Sequence, residues 1–396
     1  MKNSKLLQVI LDRGTENVIP SKEALLKLLA SGKKLNIYLG IDPTATHIHL
    51  GHAVPLRKLQ AFAELGHNVY FLIGDFTALI GDTSDKDTER PVLTTGQIKI
   101  NFETYKKQAQ KVLDFSKIKV VYNSDWLKKL KFEDIVKLCQ RFSAGDFTSR
   151  ELIKKRLVDG KHVGLHELLY PVMQGYDSYH LNTDIQLGGT DQTFNMQAGR
   201  SLVKDLLNKD SFVLANGFLP GTDGRKMSKS WGNAIWLDDS PEDIYSKIMS
   251  LKDELIKDYF ALATSLPLEE IETIIADHID DPMNLKKELA HKIVSELCGK
   301  TAANQASELF KKTVQEKESP KDAQVIEVES GSLDVNELIR LLVDNKIIKS
   351  NSEGKRLFKQ NSLYIENKTI NKQIITLNTI NNIRVGKRKY LQIIVK

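Results

Sequence analysis

Asn36-Ile37-Tyr38-Leu39-Gly40-Ile41-Asp42-Pro43-Thr44, followed by His47-Ile48-His49-Leu50-Gly51-His52, decides how this chain is read. Asn36 to Ile41 is a short apolar run of β-branched and aromatic side chains, the pattern of a buried strand. Pro55 to Gly66 then carries apolar residues at helical spacing, and Asn68 to Ile73 (NVYFLI) is a second strand-like run. Strand, helix, strand predicts a right-handed crossover between parallel strands, with any ligand at their carboxyl ends. Ile118 to Tyr122 as a strand, Phe132 to Arg141 as a helix and Ser211 to Leu214 as a late strand continue the alternation, so the first half reads as α/β.

After Ser240 the pattern becomes helical, with Ser240 as N-cap ahead of Pro241 and the acidic pair Glu242 and Asp243 in the first turn. Helices are expected to about Phe310. Lys311 to Ser330 is polar, charged and poor in aromatics and reads as a linker. Beyond it, Asp334 to Asp344 is expected as a helix, and Leu363 to Ile365, Gln373 to Ile375 and Tyr390 to Val395 as strands.

The formal charge is +6 over 396 residues, and its distribution says more than its sum. Gly331 to Lys396 holds 13 Lys and Arg against 5 Asp and Glu, so the basic excess sits wholly at the C-terminal end and points to a polyanionic partner. Cys139 and Cys298 are far apart and form no metal-ligand spacing or disulfide framework, which fits a reducing, cytoplasmic compartment. Met1 to Gly14 lacks the continuous apolar stretch of a secretory signal, and no apolar run approaches the ~20 residues of a membrane span.

Two motifs carry chemistry. A helix opening at His49-Leu50-Gly51-His52 presents unpaired backbone N–H groups and a partial positive charge, a ready site for phosphate. His49 and His52, three apart, share one helix face, and Gly51 between them leaves room for a base or ribose against the backbone. The second motif is Lys226-Met227-Ser228-Lys229-Ser230, flanked by Gly221, Gly224 and Gly232. Its lysines can offset charge that builds on a leaving pyrophosphate. Between the motifs, Tyr170, Gln174 and Asp177 fall at i, i+4 and i+7, one face of a helix and one too polar for an apolar core.

In this order, the two motifs resemble the HIGH and KMSKS signatures of class I aminoacyl-tRNA synthetases. Tyr170-Pro171-Val172-Met173-Gln174-Gly175-Tyr176-Asp177 and Gln186-Leu187-Gly188-Gly189-Thr190-Asp191-Gln192 are similar to the amino-acid pocket segments of bacterial tyrosyl-tRNA synthetases. The basic C-terminal module resembles the S4-type RNA-binding domain. The resemblance implies a Rossmann-like nucleotide-binding catalytic domain with a parallel sheet, an α-helical domain and a small α+β S4-like domain, over residues 1–222, 223–318 and 331–396. It implies tyrosine activation with ATP, transfer to tRNA(Tyr), Mg2+ that arrives with ATP without protein ligands, and a homodimer whose interface lies within Leu127 to Lys161.

Residue by residue, the resemblance implies that Tyr170, Gln174 and Asp82 hold the α-ammonium of tyrosine. Tyr38 and Asp177 would bond its phenolic hydroxyl, and Gln192 would lie near the reacting carboxylate. Thr44, His49, His52, Lys226 and Lys229 would serve the reaction itself, with Gly40, Asp42, Gly51, Gly188, Gly189, Asp191, Met227 and Ser228 along ATP. Lys355, Arg356, Lys359, Arg384, Lys387, Arg388 and Lys389 would meet RNA. Two departures stand out: Leu39 cannot hydrogen-bond a ribose as a polar side chain there can, and Pro55 is expected in the first helical turn. Tryptophanyl-tRNA synthetases share both signatures and small-molecule nucleotidyltransferases share the first; Tyr38 with Asp177 and the basic C-terminal end favour the tyrosine reading over both.

Overall fold

A computed structural model describes residues 2–82, 93–228, 231–315, 324–366, 368–386 and 389–396. The chain forms two compact units, Met1–Gly299 and Lys300–Lys396.

The first unit is built on a six-stranded sheet of β1 (Thr15–Ile19), β2 (Asn36–Ile41), β3 (Asn68–Ile73), β4 (Lys119–Tyr122), β5 (Ile185–Gly189) and β6 (Phe212–Asn216), in the order β1-β6-β5-β2-β3-β4. All neighbours are parallel except β1, which runs antiparallel to β6. The chain winds outward from β2 through β3 to β4, then returns to the other side of β2 as β5. The order therefore reverses at the β2–β5 pair, and a crevice opens outside their carboxyl ends. The α/β expectation holds, and β2 and β3 occupy the predicted residues. Strands covered on both faces read as near-continuous apolar runs, which is why they were legible.

The following helix differs from expectation. It begins at Leu50, with His49 as N-cap, so Pro55 stands at its sixth position and not in its first turn. Proline there has no N–H, and the Gly51 carbonyl one turn back is left without a helical donor. Helix Leu165–His180 carries Tyr170, Gln174 and Asp177 as its spacing predicts, and it packs on helix Thr193–Leu207. Small residues set that approach: Gly175 lies against the Ala198 backbone, and Gly199 lies against Ser178 and Gln186. Ser240 caps helix Pro241–Met249 by accepting from Asp243 N–H at 3.1 Å. Helices continue as Ile256–Ala263, Leu268–Asp277 and Pro282–Cys298.

The second unit starts with helix Lys300–Phe310 and is otherwise an α+β fold. Its five-stranded sheet orders Lys368–Thr369, Leu363–Ile365, Ile380–Val385, Lys389–Val395 and Gln324–Val328, and helices Val335–Asp344 and Asn351–Lys359 pack on a core that includes Leu338, Leu342, Leu363, Ile383 and Leu391. Part of the expected linker is a strand: Gln324–Val328 pairs in parallel with Lys389–Val395. Only Ile326 in it is buried, so its composition gives little sign of a sheet.

Gly199 decides how closely the helix bearing the amino-acid face can sit. Alanine would gain about 1 kcal/mol in helix propensity. Its Cβ would strike Ser178 Oγ and lie 2.6 Å from Gln186 Oε1, and both side chains are fully buried. Overpacking of that kind costs about 1–3 kcal/mol and outweighs the propensity gain. G199A is therefore expected to lower unfolding stability in urea; an equal or higher midpoint would contradict the packing described.

Candidate active site

A cavity of about 380 Å³ occupies the crevice at the ends of β2 and β5. The strand ends supply Tyr38, Gly40, Asp42 and Thr44 from one side and Gly188, Gly189, Asp191 and Gln192 from the other. His49, Gly51 and His52 enter from the helix turn after β2, Asp82 from the loop after β3, Tyr170, Gln174 and Asp177 from helix Leu165–His180, and Lys226 and Met227 from the loop after β6. Leu39 is buried and is not among the lining residues, whereas Pro55 is. Ser228 does not line the cavity; its amide N–H turns to Asn233 Oδ1 at 2.9 Å. Lys229, Lys387 and Arg388 lie outside the described residues.

One end of the cavity is a buried hydrogen-bond network. Asp177 is 2% exposed, and its carboxylate accepts from Trp126 Nε1 at 2.7 Å and Asn123 Nδ2 at 3.2 Å. Asn123 also donates to Thr77 Oγ1 at 3.0 Å and accepts from Phe76 N–H at 2.9 Å. Thr77 donates to Asp42 Oδ1 at 2.8 Å, and the Tyr170 hydroxyl donates to Asp42 Oδ2 at 3.0 Å. Tyr38 does not bond Asp177 directly: its hydroxyl pairs with Ser178 Oγ at 2.8 Å and donates to Gln186 Oε1 at 3.2 Å. Gln192 donates to Asp82 Oδ2 at 2.7 Å and accepts from Asn195 at 3.0 Å.

Burial sets the charges at this end. It pushes the Asp177 carboxyl up to about 8 despite the Trp126 and Asn123 donors, and it raises the Tyr38 and Tyr170 hydroxyls, with Asp177 and Asp42 next in effect. Sequence reasoning missed Asn123, Trp126, Ser178 and Gln186. Each is a polar or amphipathic side chain whose partner comes from a distant segment, and no spacing rule reports that.

The other end carries the two signatures, and backbone hydrogen bonds join them. Leu50 N–H donates to Ile235 O at 2.8 Å and Leu237 N–H to Ile48 O at 3.0 Å, with His49 and Trp236 as a bridge pair between them. The His49 and His52 rings lie 4.0 Å apart, and His49 N–H donates to His52 Nδ1 at 3.2 Å. Burial holds both imidazoles neutral: His49 is lowered to about 2, with His52 and Lys226 adding, and His52 to about 4. A Cβ on Gly51 would sit 3.0 Å from His49 Nδ1, so this glycine makes room for the histidine ring first. The half-exposed Lys226 places its ammonium 3.9 Å from Asp191 Oδ2 and 4.7 Å from the Phe218 ring centroid.

Neutral imidazoles at a helix start and a half-exposed ammonium can stabilise charge on a phosphate chain. A closed end with a carboxyl and a phenol can recognise a small polar side chain. The family described as tRNA synthetases class I (W and Y) matches residues 30–315. The tyrosine–tRNA ligase of Carboxydothermus hydrogenoformans is 40% identical over 97% of each chain. The chain belongs to the tyrosine–tRNA ligases, within the class I synthetases. The truncated mitochondrial tyrosyl-tRNA synthetase of Aspergillus nidulans shares its fold at 23% identity and a TM-score of 0.67, over 78% of this chain and 93% of that one. The Archaeoglobus fulgidus tyrosyl-tRNA synthetase, solved with L-tyrosine, shares it at a TM-score of 0.60 and 23% identity, over 78% of this chain and all of that one. ATP is a substrate of such ligases. Among the described residues, no group of three or more His, Cys, Asp or Glu is placed to hold a metal ion.

The neutral His52 gives a pH test. Its folded value of about 4 lies below the ordinary 6.5, so the folded state binds fewer protons than the unfolded one between them. That contribution to stability is present above about 6.5 and is lost as pH falls through about 4. H52N keeps an acceptor for His49 N–H but does not titrate, so its stability should fall less steeply than wild type from pH 7 to pH 5 in urea unfolding. Parallel losses would remove His52 as the source.

Proposed function

We infer that this chain activates L-tyrosine with ATP and transfers it to the 3′-terminal adenosine of tRNA(Tyr). The observation that carries this reading is one cavity with Tyr170, Gln174 and Asp177 at its buried end and His49, His52 and Lys226 at its open end. In the first step the tyrosine carboxylate attacks the α-phosphorus of ATP, giving tyrosyl-adenylate and pyrophosphate. In the second, a ribose hydroxyl of the terminal adenosine attacks the adenylate carbonyl, giving tyrosyl-tRNA and AMP. Neither step needs a protein nucleophile, so catalysis rests on positioning and charge stabilisation.

At the buried end, Asp177 and Tyr38 face the phenolic hydroxyl of tyrosine. Asp177 has accepted two hydrogen bonds from protein donors and retains lone pairs for a third. Phenylalanine would bring no hydroxyl to this third acceptor position in a buried pocket, and this family is a standard illustration of the resulting rejection. Tyr170, Gln174 and Asp82 take the ammonium, for which the hydrogen-bonded Asp42, Asp82 and Tyr170 supply negative charge and acceptors. Gln192, fixed by Asp82 and Asn195, stands beside the carboxylate. Gly40, Asp42, Gly188, Gly189 and Asp191 take the adenosine, with Asp191 on the ribose hydroxyls. Thr44, His49, His52, Lys226 and Met227 face the phosphates, Ser228 and Lys229 are assigned to them with these, Ser228 having to turn from Asn233 to reach them, and Mg2+ enters as part of the ATP substrate.

In the second unit, Lys355, Arg356 and Lys359 are exposed on helix Asn351–Lys359 and are the residues we assign to RNA backbone contact. Arg384 lies over the Tyr364 ring at 3.8 Å and donates to Gly386 O, and Lys389 donates to Ile347 O, so both would have to leave existing partners. Lys387 and Arg388 complete the assigned set. A homodimer through Leu127 to Lys161 is supported by exposed apolar side chains there: Phe132 is 80% and Val158 79% exposed, with Val136 and Leu157 also open. Two free cysteines accord with a cytoplasmic location, and no described helix is long and apolar enough to cross a membrane.

Two measurements test the reading. H49N or K229M should lower tyrosine-dependent pyrophosphate–ATP exchange by about a hundredfold while leaving tyrosine binding nearly intact; equal losses in both would sink the assignment. Replacing Lys355, Arg356 and Lys359 together by alanine should leave exchange unchanged, weaken tRNA charging at low and moderate salt, and make charging fall less steeply than in wild type as salt rises, because fewer phosphate contacts remain to release counterions. Full charging at moderate salt would refute the RNA assignment.

A further inference from the structure

Asn233 lies just after the second signature, and none of the roles above falls to it. It is 3% exposed and carries four hydrogen bonds within one turn. Its side-chain amide donates to Asp223 Oδ1 at 2.8 Å and to Lys226 O at 3.2 Å, and its Oδ1 accepts from Ser228 N–H at 2.9 Å. Its main-chain carbonyl accepts from Thr222 N–H at 3.0 Å. A short amide is the side chain that offers two donors and an acceptor in one plane, and all are used here. Gly221 has no side chain because a Cβ would strike the same amide. Two residues later, Ile235 O receives Leu50 N–H, so Asn233 stands between Lys226 and the seat of the His49–His52 helix turn.

We propose that Asn233 is a positioning residue that fixes the Lys226 backbone and the Ser228 amide relative to that helix turn, so that its loss slows adenylate formation without weakening tyrosine binding. This rests on the tyrosine-activation reading above. The half-exposed Lys226 places its ammonium 3.9 Å from Asp191 Oδ2 and 4.7 Å from the Phe218 ring centroid. Asn233 holds, by its carbonyl, the backbone from which that side chain departs. The same amide, with Arg225, keeps the Asp223 carboxyl well below the usual carboxylate range, so the turn keeps a fixed charge at its base. These partners belong to the turn that holds Asn233, whereas Tyr170, Gln174 and Asp177 belong to helix Leu165–His180. Interactions that matter only where charge develops on the phosphates act on rate and spare ground-state binding.

The test is tyrosine-dependent pyrophosphate–ATP exchange with the full chain and three variants: N233A, the near-isosteric N233D, and D223N/N233D, in which donor and acceptor change places. N233A and N233D should lower the maximal rate by about tenfold to a hundredfold, the range that a lost hydrogen bond to a charged group supplies. The KM for tyrosine should stay within about twofold, and D223N/N233D, which restores the bond between the two side chains but supplies no donor to Lys226 O, should stay about as slow as N233D. The proposal falls if both single variants keep the wild-type rate, if the tyrosine KM rises in step with the loss, if the double variant regains the wild-type rate, or if both single variants fail to fold. A wild-type chain with no tyrosine-dependent exchange would instead overturn the functional reading.

Discussion

Two backbone hydrogen bonds, Leu50 N–H to Ile235 O and Leu237 N–H to Ile48 O, hold the site together. They join segments almost two hundred residues apart and seat the start of the His49 helix on the strand-like stretch that follows the lysine loop. The sheet alone cannot do this, because β2 and β6 are separated by β5. Without that seat, the two signatures would be independent loops on one rim. With it, a displacement of the lysine turn is also a displacement of the histidine turn. Asn233 and Trp236 occupy the short connection, one bonded to the loop and the other with its ring 5.8 Å from that of His49.

The two ends of the cavity differ in how their polar groups are satisfied. At the amino-acid end the chain Trp126, Asp177, Asn123, Thr77, Asp42 and Tyr170 is closed by protein partners. Partly satisfied polar networks in low dielectric are costly, and complete ones are rigid, so this end is preorganised. The asymmetry extends to charge. Burial favours the neutral form of Asp177 at the closed end and of His49 and His52 at the open end, while the ammonium of Lys226 stays in contact with solvent.

Much of this was legible in sequence for identifiable reasons. β2 and β3 are buried on both faces, so their apolar runs have no competing interpretation; Tyr170, Gln174 and Asp177 obey helical spacing because one helix carries all three. What stayed hidden has a different physical origin. β1 (TENVI) is an edge strand with one buried residue, and Gln324–Val328 likewise buries only Ile326, so neither stands out from a loop. Asn123 and Asn233 look like ordinary turn residues, and their importance lies in partners contributed by other segments. Gly51 was read as room for a nucleotide, but its first neighbour is the His49 ring. Pro55 was placed one turn too early because the helix begins at Leu50, ahead of the apolar periodicity that signals it.

That last correction bears on how the phosphate end works. A proline at the sixth helical position removes the donor for the Gly51 carbonyl, and both residues line the cavity. The helix start has its Leu50 N–H taken by Ile235 O and its His52 N–H by His49 O, while the proline leaves the Gly51 carbonyl without the donor that an ordinary helix would supply. An uninterrupted N-terminus would suit a phosphate alone. With two first-turn donors already taken, what Gly51 and Asp191 add to the cavity is acceptor character, from the helix start and from the end of β5. The proline that seemed a departure thus shifts this helix start from donor toward acceptor character.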